Sequence, residues 1–184
     1  MNLPDKKYTA IYADPPWSYR QHGTGPKSRG NAAQHYHTMT VEDICALPVR
    51  QLAGGQGCAL FMWATFPTIQ DALRVMEAWG FTYKTAAFVW IKKYKSGGDF
   101  YGMGAYTRAN AEVCLLGVTP GFKAKALVKS HTVHQVIESP IQAHSVKPDE
   151  VRRRIVELLG DVPRIELFAR QHATGWDAWG DELE

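Results

Sequence analysis

Tyr8-Thr-Ala-Ile-Tyr-Ala-Asp-Pro-Pro-Trp17 begins as an apolar run and breaks off on an acid, two imino acids and a flat aromatic. The run Thr9–Ala13 predicts a short buried strand. Proline cannot donate to a strand ladder, so the strand ends before Pro15. In an open α/β sheet, whatever follows such a strand sits at the carboxyl edge, where ligands bind. The tetrapeptide Asp14-Pro15-Pro16-Trp17 has the parts needed to grip an aromatic amine. Asp14 can accept one amine hydrogen and the carbonyl of Pro15 the other, in a direction fixed by the locked φ of proline. Trp17 offers a π face for an unstacked base, an interaction worth roughly 1–3 kcal/mol. By itself the tetrapeptide also fits an ordinary strand terminator followed by a core Trp.

Outward from this stretch, strands are expected at Thr9–Ala13, Ala59–Trp63, Lys84–Lys92, Glu112–Gly117 and Arg164–Ala169. Apolar residues Ile69, Leu73, Met76 and Trp79 recur at helical spacing between Pro67 and Trp79, with Gly80 as the stop. Pro148 to Leu159 reads as a second helix, with Val151, Ile155, Leu158 and Leu159 on its buried face and Arg152-Arg153-Arg154 on the exposed one. A shorter helix is expected from Val41 to Leu47 behind Thr40. This alternation predicts a doubly wound α/β fold, a mostly parallel sheet flanked by helices, in a single domain spanning residues 1–184. With 184 residues, 45% hydrophobic, the chain is long enough to bury roughly 70% of its unfolded surface. Cys45, Cys58 and Cys114 are odd in number and lack metal-ligand spacing, so they read as reduced thiols. His35-x-His37 and His131-x-x-His134 have no supporting Cys or carboxylate pattern, and no metal is expected. No apolar stretch has the length of a signal peptide or a membrane span, so a cytoplasmic location is expected.

Six segments in order then resemble one family. Ala13-Asp-Pro-Pro-Trp-Ser-Tyr19, His35-Tyr-His-Thr-Met-Thr40, Leu60-Phe-Met-Trp63, Lys147-Pro148, Ile165-Glu-Leu-Phe-Ala-Arg170 and the close Gly175-Trp176…Trp179-Gly-Asp-Glu182 are similar to motifs of the adenine-N6 methyltransferases that include the mRNA adenosine methyltransferase catalytic subunit and its short phage and bacterial relatives. The resemblance implies a Rossmann-like fold that uses S-adenosylmethionine, with the catalytic motif ahead of the cofactor motif. It implies that Asp14, Pro15, Pro16 and Trp17 are catalytic. It assigns the cofactor to Asp14, Lys147, Leu167, Phe168, Arg170, His172, Asp181 and Glu182, and the stacking of the substrate base to Tyr19 and Tyr36. By the same resemblance, residues 18–37 and about 134–147 act as gates. Asp181 stands where the family usually has Asn, and Ala169 replaces a Gly, so the fit around the cofactor is expected to be looser there.

Net charge is only +3, but it is unevenly spread. Residues 18–37 carry Arg20, Lys27 and Arg29 and no acid, and residues 92–129 carry seven cations, including Lys92 and Lys93, against Asp99 and Glu112. Aromatics Tyr94, Phe100, Tyr101 and Tyr106 are interleaved with the second group, a pattern suited to a phosphate backbone and unstacked bases. Arg20, Lys92 and Lys93 are therefore expected to bind substrate. The expected partner is DNA, with RNA as the alternative, and the chain is expected to work as a monomer or dimer, with or without a partner subunit. Cytosine-N4 methylation and a silent binding subunit remain open readings.

Overall fold

A computed structural model describes residues 2–18, 38–104, 106–142 and 146–183. Seven strands form one sheet: β1 (Ala10–Ala13), β2 (Ala59–Ala64), β3 (Thr82–Lys93), β4 (Ala111–Val118), β5 (Val136–Pro140), β6 (Arg164–Leu167) and β7 (Asp177–Trp179). Their spatial order is β5-β3-β4-β2-β1-β6-β7. β1 pairs in parallel with β2 and β6, β6 with β7, and β3 with β5. Only β4 runs the other way, antiparallel to both of its neighbours.

Helices cover both faces, as the strand and helix alternation predicts. α1 (Val41–Ala46) and α2 (Ile69–Ala78) lie on one side, where Ile44, Ala72, Val75 and Met76 pack with Ile11, Leu60 and Met62. α4 (Glu150–Leu159) lies on the other, where Val151, Ile155 and Leu159 pack with Tyr12, Phe61 and Trp63. Alternate residues of β1 and β2 thus enter opposite cores, and the two central strands read as continuous apolar runs because both of their faces are covered. Thr40 caps α1 by accepting the Asp43 N–H at 3.1 Å. A short helix, α3 (Ala124–Leu127), follows β4.

The sequence missed β5 and β7. β7 is three half-buried residues, and β5 carries exposed Val136 and Glu138 and ends on Pro140, so neither shows the apolar run that marks the central strands. The stretch 134–147 was expected to act as a gate, yet its middle is this strand, held in the sheet by β3. Residues 143–145 of that stretch lie outside the described residues, as do Tyr19, Arg20 and Tyr36. The triple-arginine run is also not one exposed face. Arg153 is 76% exposed, but Arg152 is 16% exposed and Arg154 15%, and both are engaged.

Candidate active site

The six parallel strands point their carboxyl ends to one edge, and β4, running down, brings its first residues there. Asp14 follows β1 at this edge. The ammonium of Lys147, in the segment before α4, donates to Asp14 Oδ2 at 2.7 Å. Lys147 also lies 3.5 Å from Glu112 Oε2, and Lys92 lies 2.5 Å from Glu112 Oε1. The result is a row of alternating charges, Asp14, Lys147, Glu112 and Lys92, contributed by β1, the pre-α4 segment, β4 and β3. Two tryptophans floor the row, with the Lys147 ammonium 5.7 Å from the Trp63 ring centre and that of Lys92 5.1 Å from Trp90. The Trp63 indole in turn donates to the Tyr12 hydroxyl at 2.7 Å.

Burial pushes the Asp14 carboxyl up from its ordinary value, against the Lys147 and Arg170 cations that pull it down, and Glu112 adds to the rise. Glu112 is desolvated too, but Lys147 and Lys92 outweigh that and hold it below the usual carboxylate range. Two carboxyls at one edge are therefore driven in opposite directions, Asp14 up and Glu112 down.

Beyond Asp14 the cleft continues along β6. Its lining includes Tyr12, Val146, Arg152, Glu166, Phe168, Arg170 and Gln171. Glu166 is buried and takes a two-pronged bond from Arg152, at 2.6 and 2.9 Å, and Arg152 also reaches Asp149 at 2.6 Å. β6 stops at Leu167 because Phe168 adopts φ 60, a left-handed conformation rare for a bulky residue. Gly180 crosses this corner so closely that a Cβ would stand 2.3 Å from the Ala169 carbonyl oxygen. Arg170 pairs with Glu182 at 3.2 Å, so the end of the chain closes that side.

Several expected site residues sit differently from their reading. Trp17 is 5% exposed, its indole donates to the Trp63 carbonyl at 3.1 Å, and its ring belongs to the core under α1 and α2. It fixes the motif from beneath and is not an open stacking platform. The Pro15 carbonyl accepts the Trp17 N–H at 2.8 Å and the Pro16 carbonyl accepts the Met39 N–H at 2.9 Å, which locks the loop. Leu167 is a core side chain that leaves only its backbone for any ligand. Lys92 is paired with Glu112, and Lys93 with Asp99 at 2.8 Å and Glu138 at 3.2 Å. His172 is exposed on an adjoining cleft that shares Arg152 and Gln171 with the first, and Asp181 is exposed. The sequence reading missed Glu112, Tyr12 and Arg152. A carboxylate two residues before a Cys in an apolar strand was the one local signal, since buried acids are rare without partners.

The model of the MT-A70 family matches residues 8–182. The type II methyltransferase M.MunI of a Mycoplasma species is 34% identical over 195 residues, covering 98% of this chain and 80% of that protein. The N(6)-adenine-specific methyltransferase METTL4 of Homo sapiens is 27% identical over 192 residues, covering 97% of this chain and 38% of that protein. The N(6)-adenosine-methyltransferase catalytic subunit METTL3 of Homo sapiens is 27% identical over 191 residues, covering 97% of this chain and 28% of that protein. The chain thus spans most of the bacterial relative and well under half of the two larger ones.

Proposed function

Because the chain belongs to the MT-A70 family, we propose that it transfers a methyl group from S-adenosylmethionine to the exocyclic N6 amine of adenine in DNA. The observation that carries this reading is Asp14, fixed by Lys147 at the carboxyl edge between two locked prolines and the cleft along β6. DNA is favoured over RNA by the resemblance to short bacterial members of the family, such as the type II methyltransferase M.MunI, 80% of whose length this chain covers.

The cleft fits the cofactor's mixed chemistry. A zwitterion with a ribose diol needs cations and acids side by side, and Lys147 and Arg170 stand among Asp14 and Glu166 there. Phe168 gives an apolar wall, and Glu182 closes the far side through Arg170. When bound, the cofactor supplies an electrophilic methyl on its sulfonium.

The remaining work belongs to the chain. The adenine amine is a poor nucleophile because its lone pair is delocalised into the ring. Asp14 accepts one amine hydrogen, and the Pro15 carbonyl, which has a second lone pair beyond the one given to Trp17, accepts the other. Two acceptors on one NH2 favour a pyramidal nitrogen. Lys147 holds the carboxylate in place, so positioning and fixed charge supply most of the acceleration. Radiolabelled methyl transfer to single- and double-stranded DNA and RNA, followed by nucleoside mass spectrometry, tests the proposal. N6-methyladenine in DNA is expected. N4-methylcytosine, or cofactor binding without transfer to any polymer, would replace it with one of the rival readings.

A further inference from the structure

Among the described residues, seven large apolar side chains stand exposed: Phe66, Tyr83, Tyr94, Tyr101, Met103, Tyr106 and Val136. Five of the seven gather at the carboxyl edge of the sheet. Tyr94, Tyr101, Met103 and Tyr106 ride on the arm between β3 and β4, and Phe66 follows β2. Tyr83, at the start of β3, lies at the opposite end, and Val136 starts the edge strand β5, level with Val89 and with two strands between it and β2. Sheet order sets the arm beside Phe66 and Phe66 beside Asp14, on the side of the cleft away from β6. Exposed apolar side chains concentrated in one place mark a binding surface.

Both parts are built. Phe66 is 54% exposed on a 3-10 turn, Phe66–Thr68, whose start is locked by Thr68: its hydroxyl accepts the Thr65 N–H and donates to the Thr65 carbonyl, both at 3.1 Å. On the arm, Gly102 donates to the Ala109 carbonyl at 2.8 Å, and a Cβ at Gly104 would stand 1.9 Å from the Thr107 carbonyl oxygen. Tyr94 and Phe100 meet edge to face at 5.3 Å. The backbone that carries Phe66 and the arm's rings is thus fixed before binding, which lowers the ordering cost of stacking on them.

Charge and ring type indicate what they meet. The arm's cations are Lys95 and Arg108, and its acid, Asp99, is taken up by Lys93. Aromatic rings with cations beside them suit unstacked bases on a phosphate backbone better than an aliphatic protein surface. We infer that Phe66, Tyr101 and Tyr106 form a stacking rim for the unpaired bases flanking the target adenine, with Phe66 against the nearest. The inference rests on the nucleic-acid reading above and adds that the bound substrate has bases unstacked beside the target.

The test is fluorescence anisotropy with a labelled single-stranded oligonucleotide containing adenine, with 2-aminopurine beside that adenine as a stacking reporter. Phe66→Ala and the pair Tyr101→Ala with Tyr106→Ala are each expected to weaken binding roughly tenfold. They should also relieve 2-aminopurine quenching, while Phe66→Trp restores both readouts. Tyr83→Ala, at the far end of β3, serves as the control and binds like wild type. Wild-type affinity in the rim variants overturns the inference, as does wild-type protein that binds no oligonucleotide. So does a dimer that these variants split while their oligonucleotide affinity is unchanged, since the rim would then join two copies of the chain. Methyl transfer by the wild type reads the proposed reaction separately: transfer with unaltered variant affinity sinks the rim alone, and rim-dependent binding without transfer sinks the reaction alone.

Discussion

Lys147 Nζ lies 2.7 Å from Asp14 Oδ2 across 133 positions of sequence. In the proposed reaction the lysine therefore belongs to the amine-holding apparatus as well as being a cation of the cleft. It lowers the energy of the ionised carboxyl that burial opposes, and it fixes the direction in which that carboxyl faces.

Replacing Asp14 removes an acceptor for the amine. Asp14→Ala and Asp14→Asn are each expected to reduce methyl transfer by about a hundredfold or more, the scale of losing one preorganised polar contact in a transition state. Cofactor affinity by calorimetry should stay within a few-fold. Wild-type turnover by either variant would sink the assignment.

Asp14 also links activity to stability. A carboxyl whose folded value is raised favours the fold below its unfolded value of 3.8, and that contribution is lost as pH rises through the folded value. The ionised group is thus a net cost at neutral pH. Asp14→Asn should melt above wild type at pH 7, with the advantage shrinking in acid. Thermal melts from pH 7 down to pH 4 check this, and a lower Tm for the variant at pH 7 would contradict it.

Removing the lysine shifts the same group. In Lys147→Met the downward pull on Asp14 disappears, so its carboxyl titrates higher still. The acid limb of the kcat/KM profile should move to higher pH, and Lys147→Arg should hold it near the wild-type position. A profile that only drops in height, without moving, would assign Lys147 to cofactor binding alone.

Arg152 and Glu166 form a buried pair on the wall of the cleft. Arg152→Ala strands the Glu166 carboxylate and is expected to cost about 3 kcal/mol of stability. Arg152→Met combined with Glu166→Met should recover most of that loss, because apolar side chains of similar size can replace a buried ion pair. Urea denaturation of the three proteins measures both effects.

Gly180 leaves no room for a side chain. Gly180→Ala drives a Cβ against backbone atoms of Ala169, 2.3 Å from the carbonyl oxygen and 2.8 Å from the nitrogen. The end of β7 must then shift away from Phe168. Cofactor affinity is expected to fall roughly tenfold with the fold retained, read by calorimetry and circular dichroism, and unchanged affinity would separate this corner from the cofactor site.

Much of this architecture could be read from short windows. The runs at Thr9–Ala13 and Ala59–Trp63 are apolar at every central position because both faces of β1 and β2 are covered. Likewise Ile69, Leu73 and Met76 mark α2 by spacing alone. β5 and β7 escaped because edge strands bury too little to write a pattern into their residues. Trp17 was readable as an aromatic beside a carboxylate, but whether its ring met a base or the core depended on what lay beneath it. That proved to be the Trp63 carbonyl and the side under α1 and α2.

The sequence by itself determined β1 to β4 and β6, the helices α1, α2 and α4, and the acid-proline-proline-tryptophan turn after β1, because periodicity and turn chemistry act within a few residues of one another. Only the tertiary structure decided which charges neutralise which. The reversed β4 carries Glu112 to the carboxyl edge, the segment before α4 lays Lys147 on Asp14, and α4 turns Arg152 onto Glu166. Those pairings follow from strand order and helix placement, so each charge met its partner only after the long-range contacts of the sheet were made.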